Sequence, residues 1–226
     1  MQNPEDEASA ILAQLGKVAA ERQRRALDAA LAARCTALRE WQAARLRRTH
    51  ADLLNTAATR EAAQFFLDQL YGSQDFLDRD VQFARIVPVI ARLFSADVRR
   101  TVMHLAELHA LSETLDTAMA LTLAHTAVNS VCYRQTWLAV GRRNDRERQI
   151  ELVGLIGKSL MRYTRHPSLG RALRLMRLPA KAAGLNALQR FLETGFATFG
   201  ALPDPQAFVD ALCTAERLEA QQLFES

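Results

Sequence analysis

A chain of 226 residues, 49% hydrophobic and 24% charged, is long enough to bury a substantial core and has the composition of an ordinary globular protein. Nine glycines, six prolines and an abundance of alanine, leucine, arginine and glutamine favour helix nearly throughout. A formal charge of +4 permits an anionic partner without requiring one, and Cys35, Cys132 and Cys213, far apart and without CxxC or CxxH spacing, exclude a disulfide framework and a structural zinc site.

From Ala8 to about Arg48 there is no proline and one glycine, Gly16, and small or apolar residues recur at Ile11, Leu15, Val18, Ala26, Ala29, Ala33, Ala37 and Trp41. Steps of three, four and seven mark an amphipathic helix with a thin alanine-rich stripe, continuous or broken near Arg34. Such a stripe packs along other helices or along a second copy of the chain. Residues 1–54 are read as a helical leader packed on a bundle formed by residues 55–226. Asn55, Thr56 and Thr59 are candidate caps for a helix running to Tyr71, and Gly72 is placed to end it. Ser73, Asp75 and Asp78 offer caps for the next helix, which Pro88 is expected to kink or end. Ser95 caps a helix reaching the 120s, a loop falls at 122–128, and the following helix ends at Val140 and Gly141. Asn144 or Asp145 caps a helix over 146–163, Pro167 opens another, and Pro179 and Gly184 interrupt. Helices follow over 185–199 and from Asp204 and Pro205 onward. The expected fold is all-α, a single bundle of about seven to nine helices with a long N-terminal helix or helical hairpin.

Placed on a wheel at roughly 100° per residue, three helices aim polar side chains inward. Arg79 falls near the middle of the arc set by Phe83, Ile86, Val87, Ile90, Leu93 and Phe94, with Asp75 four residues earlier. His109 flanks the arc of Leu105, Leu108, Leu115 and Met119, with Glu113 and Asp116 one and two turns on. Gln149 sits at the centre of the arc of Leu152, Val153, Ile156 and Leu160, and Arg146 at its margin. If these faces meet, Arg79, His109 and Gln149 form one cluster with Tyr71, Asp75, Glu113, Asp116 and Arg146. That cluster is either a small-ligand site or an internally satisfied network that specifies the packing.

The metal spacings Glu-x-x-His and His-Glu-x-x-His are absent, and His104 with Glu107, or His109 with Glu113, supplies half a site. No metal site and no cofactor is expected; a haem on His104 or His109 has only the histidines in its favour. The phosphate-binding, dinucleotide-binding and nucleophile-elbow glycine motifs do not occur. Lys158, Arg162, Arg165, Arg171, Arg174, Arg177 and Lys181 follow one another with no acid between them, and steps of three and four set them along a helical side beside Leu175 and Leu178. A basic amphipathic segment suits anionic lipid or nucleic-acid phosphate, and equally a solvated surface. Gly154 and Gly157, costing about 1 kcal/mol each in a helix, call for a close helix crossing or a guest near the backbone.

The segments FFLDQLYGSQDFLDRD, LHALSETLD and GRRNDRERQIELV resemble an uncharacterised proteobacterial family with the pattern Phe-Phe-Leu-x-x-Leu-Tyr-Gly-x-x-Asp-Phe. The resemblance runs from about Asp52 to Phe199 and implies an all-helical bacterial protein, with no established reaction, ligand or partner. MQNPEDEASA lacks the basic start and apolar run of a secretory signal, so a cytoplasmic location is expected. The expected role is non-enzymatic, by binding a protein partner, a second copy of the chain or a small ligand. The alternatives are an enzyme or cofactor-binding protein using Arg79, His109 and Gln149, and peripheral binding of nucleic acid or an anionic membrane through residues 158–181.

Overall fold

The computed structural model describes residues 3–70 and 77–225. Among these the protein is all-α, with 12 helices and no strand. They are α1 (Pro4–Ala26), α2 (Ala29–Thr49), α3 (Ala51–Asn55), α4 (Arg60–Leu70), α5 (Leu77–Leu93) and α6 (Ala96–Thr122), then α7 (Ser130–Val140), α8 (Arg143–Thr164), α9 (Pro167–Leu175), α10 (Arg177–Ala182), α11 (Asn186–Gly200) and α12 (Pro205–Glu225). The count exceeds the expected seven to nine, α3 and α10 being short helices of 5 and 6 residues. No helix among the described residues is long and apolar enough to cross a membrane.

The leader breaks at Leu27 and Asp28, not near Arg34. The reason is local: the Asp28 carboxylate accepts the Leu31 N–H at 2.9 Å and so caps a new helix. α1 then runs beside α6 in the same direction. Ile11 and Leu15 pack with Val102 and Ala106, while Arg25 reaches Thr117. α2 returns along the other side, from Leu31 and Cys35 against Ala120 to Leu46 in the cluster with Leu108. Of the stripe that suggested self-association, Ile11, Leu15 and Val18 are buried within the chain, whereas Ala26, Ala29 and Ala33 are exposed.

Thr59 does not cap α4; its hydroxyl donates to the Leu53 carbonyl at 2.6 Å. α4 ends at Leu70, and Tyr71, Gly72, Ser73 and Asp75 lie outside the described residues. α5 continues through Pro88 instead of ending there. Pro88 is exposed, while its neighbours Val87 and Ala91 are buried, and that packing offsets the lost backbone bond. Gly141 ends α7 with φ of 65°, a backbone that glycine adopts freely. α8 begins at Arg143, ahead of the expected caps, with Asp145 accepting the Arg142 side chain from within its first turn.

Two apolar clusters organise the bundle. The larger joins Leu46, Phe66, Leu108, Leu152, Phe208 and Leu212 across α2, α4, α6, α8 and α12. The smaller joins Leu38, Met119, Leu123, Tyr133, Trp137 and Leu223. A cavity lies between them, lined by Leu46 and Ile150 from one and by Tyr133 and Trp137 from the other.

The glycine pair in α8 splits in meaning. A Cβ on Gly157 would lie 2.6 Å and 2.9 Å from the two γ-methyls of Val209 on α12, whereas one on Gly154 would find Cys213 Sγ at an ordinary 3.6 Å. Val209 is buried and β-branched, so it cannot swing aside. Gly157→Ala is expected to lower stability by about 1–3 kcal/mol through overpacking. Gly154→Ala is expected to leave stability unchanged or raise it by up to about 1 kcal/mol through helix propensity. Urea-denaturation midpoints of the two variants check the contrast.

Candidate functional site

The cavity of about 90 Å³ is built on α6, with walls from α2, α5, α7, α8 and α12. His109, Glu113, Asp116, Arg146, Gln149 and Arg79 all line it, so the three inward polar faces do meet. Tyr71 and Asp75 lie outside the described residues.

Glu113 is the most deeply buried charge of the group, its side chain 4% exposed. Arg25 from α1 donates to one oxygen, Arg39 from α2 donates to the same oxygen at 2.7 Å, and Arg22 stands 3.5 Å from the other. Arg25 also donates to the Thr117 hydroxyl at 2.6 Å. Arg39 reaches Asp116 at 2.9 Å. Arg22 continues to Asp80 at 2.7 Å, and Asp80 meets His109 Nε2 at 2.8 Å. Arg79 donates to the Gln69 carbonyl at 2.9 Å, lies 3.6 Å from Asp80 and covers the Phe191 ring. Burial pushes the Glu113 carboxyl up, but Arg39, Arg25 and His109 outweigh it and bring it down from the usual 4.5 to about 2.

A second ion group closes the other wall. Arg45 donates to both oxygens of Glu216 at 2.9–3.0 Å, and buried His50 meets the same carboxylate at 2.9 Å. Burial opposes the charge on Glu216, yet His50 and Arg45 hold its carboxyl below the usual range. The third wall is aromatic. Trp41 stacks on Tyr133 at 3.9 Å, Tyr133 faces Trp137, and the Arg146 guanidinium lies 4.0 Å above the Trp137 ring. Arg146 also donates to Gln149 Oε1 at 3.2 Å, and Gln149 donates to Ser112 at 2.9 Å. Two buried donors on lining residues, Trp137 Nε1 and Arg45 Nε, have no hydrogen-bond partner among the described residues.

Other sequence candidates lie elsewhere. Glu107 is engaged by Arg148 through two bonds of 2.8 Å, and His104, whose pKa is lowered by burial and by Arg148, is not on the cavity. Among the described residues no group of three or more His, Cys, Asp or Glu is placed to hold a metal. The basic segment is not one helical side. Lys158 and Arg162 end α8, Arg165 follows it, Arg171 and Arg174 lie on α9, and Arg177 and Lys181 on α10, because the chain turns at His166 and Met176. Arg162 pairs with Asp97 and Arg177 with Glu193. Free thiols Cys35 and Cys213 are buried; burial pushes the Cys35 thiol up to about 11 despite Arg39.

Arg22, Arg25, Arg39, Arg45, Asp80, Tyr133, Trp137 and Glu216 escaped the sequence reading. A signal existed. Arg22 and Arg25 continue the Ile11, Leu15, Val18 stripe at heptad spacing, and Arg45 continues Leu31, Cys35, Leu38.

A family model described as a domain of unknown function, DUF8198, matches residues 21–226, and the chain belongs to that family. No curated protein and no solved structure matches it.

Because Glu113 titrates at 4.5 unfolded and about 2 folded, its contribution is complete above pH 4.5 and lost as the pH falls toward 2. That contribution is on the order of 3 kcal/mol. Glu113→Gln is expected to cost about 3–5 kcal/mol at neutral pH, since it strands buried guanidinia. The gap to wild type should narrow below pH 4.5. Denaturation curves across pH test this, and a gap of constant size at pH 3 would contradict it.

Proposed function

We propose that this DUF8198 protein works by binding, and that the cavity takes a small carboxylic acid in its ionised form. The observation that carries the reading is that two residues lining the cavity, Trp137 and Arg45, each keep a buried donor, Nε1 and Nε, without a partner among the described residues. A buried donor left without an acceptor costs about 1–3 kcal/mol, and a carboxylate that draws these side chains toward it brings the missing acceptors. Arg146 over the Trp137 ring supplies positive charge at the same wall. The cavity offers room for on the order of six water molecules, which suits an acid of a few carbons. Of the lining carboxylates, Glu113, Asp116 and Glu216 are clasped by guanidinia, and Glu219 lies within the field of Arg45, so they repel a further anion less than bare charges would. Those clasps also hold Glu113 and Glu216 ionised, which makes them poor proton carriers near neutrality and supports recognition over catalysis.

The chain contains two tryptophans: Trp137 lines the cavity, and Trp41 stacks on the lining Tyr133. In Trp41→Phe the fluorescence of Trp137 alone reports on the cavity. Titration with short mono- and dicarboxylates, and with inorganic phosphate as comparison, is expected to give a saturable change with a carboxylate. Calorimetry on Trp137→Phe, which keeps a ring and deletes the donor, is expected to show binding weaker by about tenfold, equivalent to about 1.4 kcal/mol. No saturable response to any acid, or equal affinity in Trp137→Phe, would refute the assignment.

A further inference from the structure

We infer that the outer face of α9 and α10 is a docking surface for an anionic phospholipid membrane, at a site separate from the cavity. The charge of the chain is concentrated here. Residues 152–192 hold eight lysines and arginines and no acid, so the remainder carries more acids than bases despite the overall +4. The inner face of the two helices is fixed to α11. Gly170 seats against the Phe196 ring, Ala180 is buried, Gln189 donates to the Leu173 carbonyl at 2.6 Å, and Arg177 is clasped by Glu193. The outer face has no such covering. Leu175 is 78% exposed, Leu178 79%, Met176 50% and Leu169 40%. Among them stand Arg171, Arg174 and Lys181, all exposed, their side chains making no hydrogen bond or salt bridge among the described residues.

Apolar side chains interleaved with free cations on short helices match the boundary between acyl chains and phosphate headgroups. The leucines enter the acyl region while the guanidinia stay with phosphate. A groove of about 390 Å³ lies between these helices and α11, lined by Gly170, Arg174, Phe196, Ala197 and Gly200 together with the Arg177–Glu193 pair. Nucleic acid would satisfy the arginines and leave the leucines in water, and Tyr163 is the one aromatic residue of residues 158–181 available for base stacking.

The test is co-sedimentation of the full chain with vesicles of phosphatidylcholine, with and without phosphatidylglycerol, at low and high salt. Binding at least about tenfold tighter to the anionic vesicles, weakening with salt, is expected. Leu175→Ser with Leu178→Ser, and separately Arg171→Gln with Arg174→Gln, are each expected to weaken it by about tenfold or more. These positions are exposed, and unchanged circular dichroism and melting confirm that the variants fold. Equal partitioning onto both vesicle types, or binding unaffected by either pair of substitutions, overturns the proposal. So does retention on immobilised polyglutamate or duplex DNA without binding to anionic vesicles, which would assign the face to an acidic polypeptide or to nucleic acid.

Discussion

Glu113 sits in the middle of the central helix with almost no water, and it draws in guanidinia from both arms of the N-terminal hairpin. Removing a carboxylate from water costs several kcal/mol, and the cost is recovered only where the geometry is good and other groups satisfy its oxygens. Arg25 and Arg39 supply that geometry from α1 and α2, so each arm has one axial position on α6 at which the charge is matched. The buried apolar face of the hairpin is formed by Ile11, Leu15, Val18, Leu31, Cys35, Leu38 and Leu46. The ion cluster adds a polar fixed point to that face. It acts as a registry device, the best-attested use of buried charge.

Placing charge at the core has a structural consequence. Between the cluster of Leu46, Leu108 and Leu152 and the cluster of Leu38, Met119 and Trp137, the side chains are long, forked and constrained by their partners. Guanidinia held in fixed planes cannot collapse together as leucines do, and space is left. The walls of that space are donor-rich. Arginines have no acceptor to offer one another, and neither does the Trp137 indole. Arg39 and Glu113, which join the hairpin to α6, therefore also line that cavity.

The sequence disclosed the helices with strong apolar arcs and the polar side chains that interrupt them. Arg79, His109, Gln149, Glu113, Asp116 and Arg146 were found because each breaks a clear pattern, and all reach one cavity. The partners of Glu113 were not legible in the same way. They lie 74 to 91 residues away, on the N-terminal hairpin whose apolar stripes run through Ile11, Leu15 and Val18 and through Leu31, Cys35 and Leu38. An arginine at the end of an apolar stripe looks like the solvent edge of a helix until a carboxylate is known to face it. The break at Asp28 was legible in principle, since an aspartate ahead of a leucine-containing run is a cap signal. It was masked by helix propensity that continues on both sides. At Pro88 the helix continues, so of the two expected outcomes ending is excluded, with Val87 and Ala91 buried on either side.

The arginines of this chain meet two different fates. Inside, Arg25, Arg39 and Arg45 are matched to carboxylates at hydrogen-bonding distance, Glu113 and Asp116 of α6 and Glu216 of α12. Outside, on α9 and α10, Glu193 from α11 clasps Arg177, and Arg171, Arg174 and Lys181 face water among leucines. Packing does not require that second arrangement, since polar residues in place of Leu175 and Leu178 would leave the inner contacts of Gly170 and Ala180 intact. Neither does solubility, which exposed leucines reduce. α8 connects the two regions, with Arg146 and Gln149 at the cavity in its first turns and Arg162 beside α9 in its last. Its middle is fixed to α12 by the tight crossing at Gly157, so the polar interior and the basic exterior are carried on one rigid element.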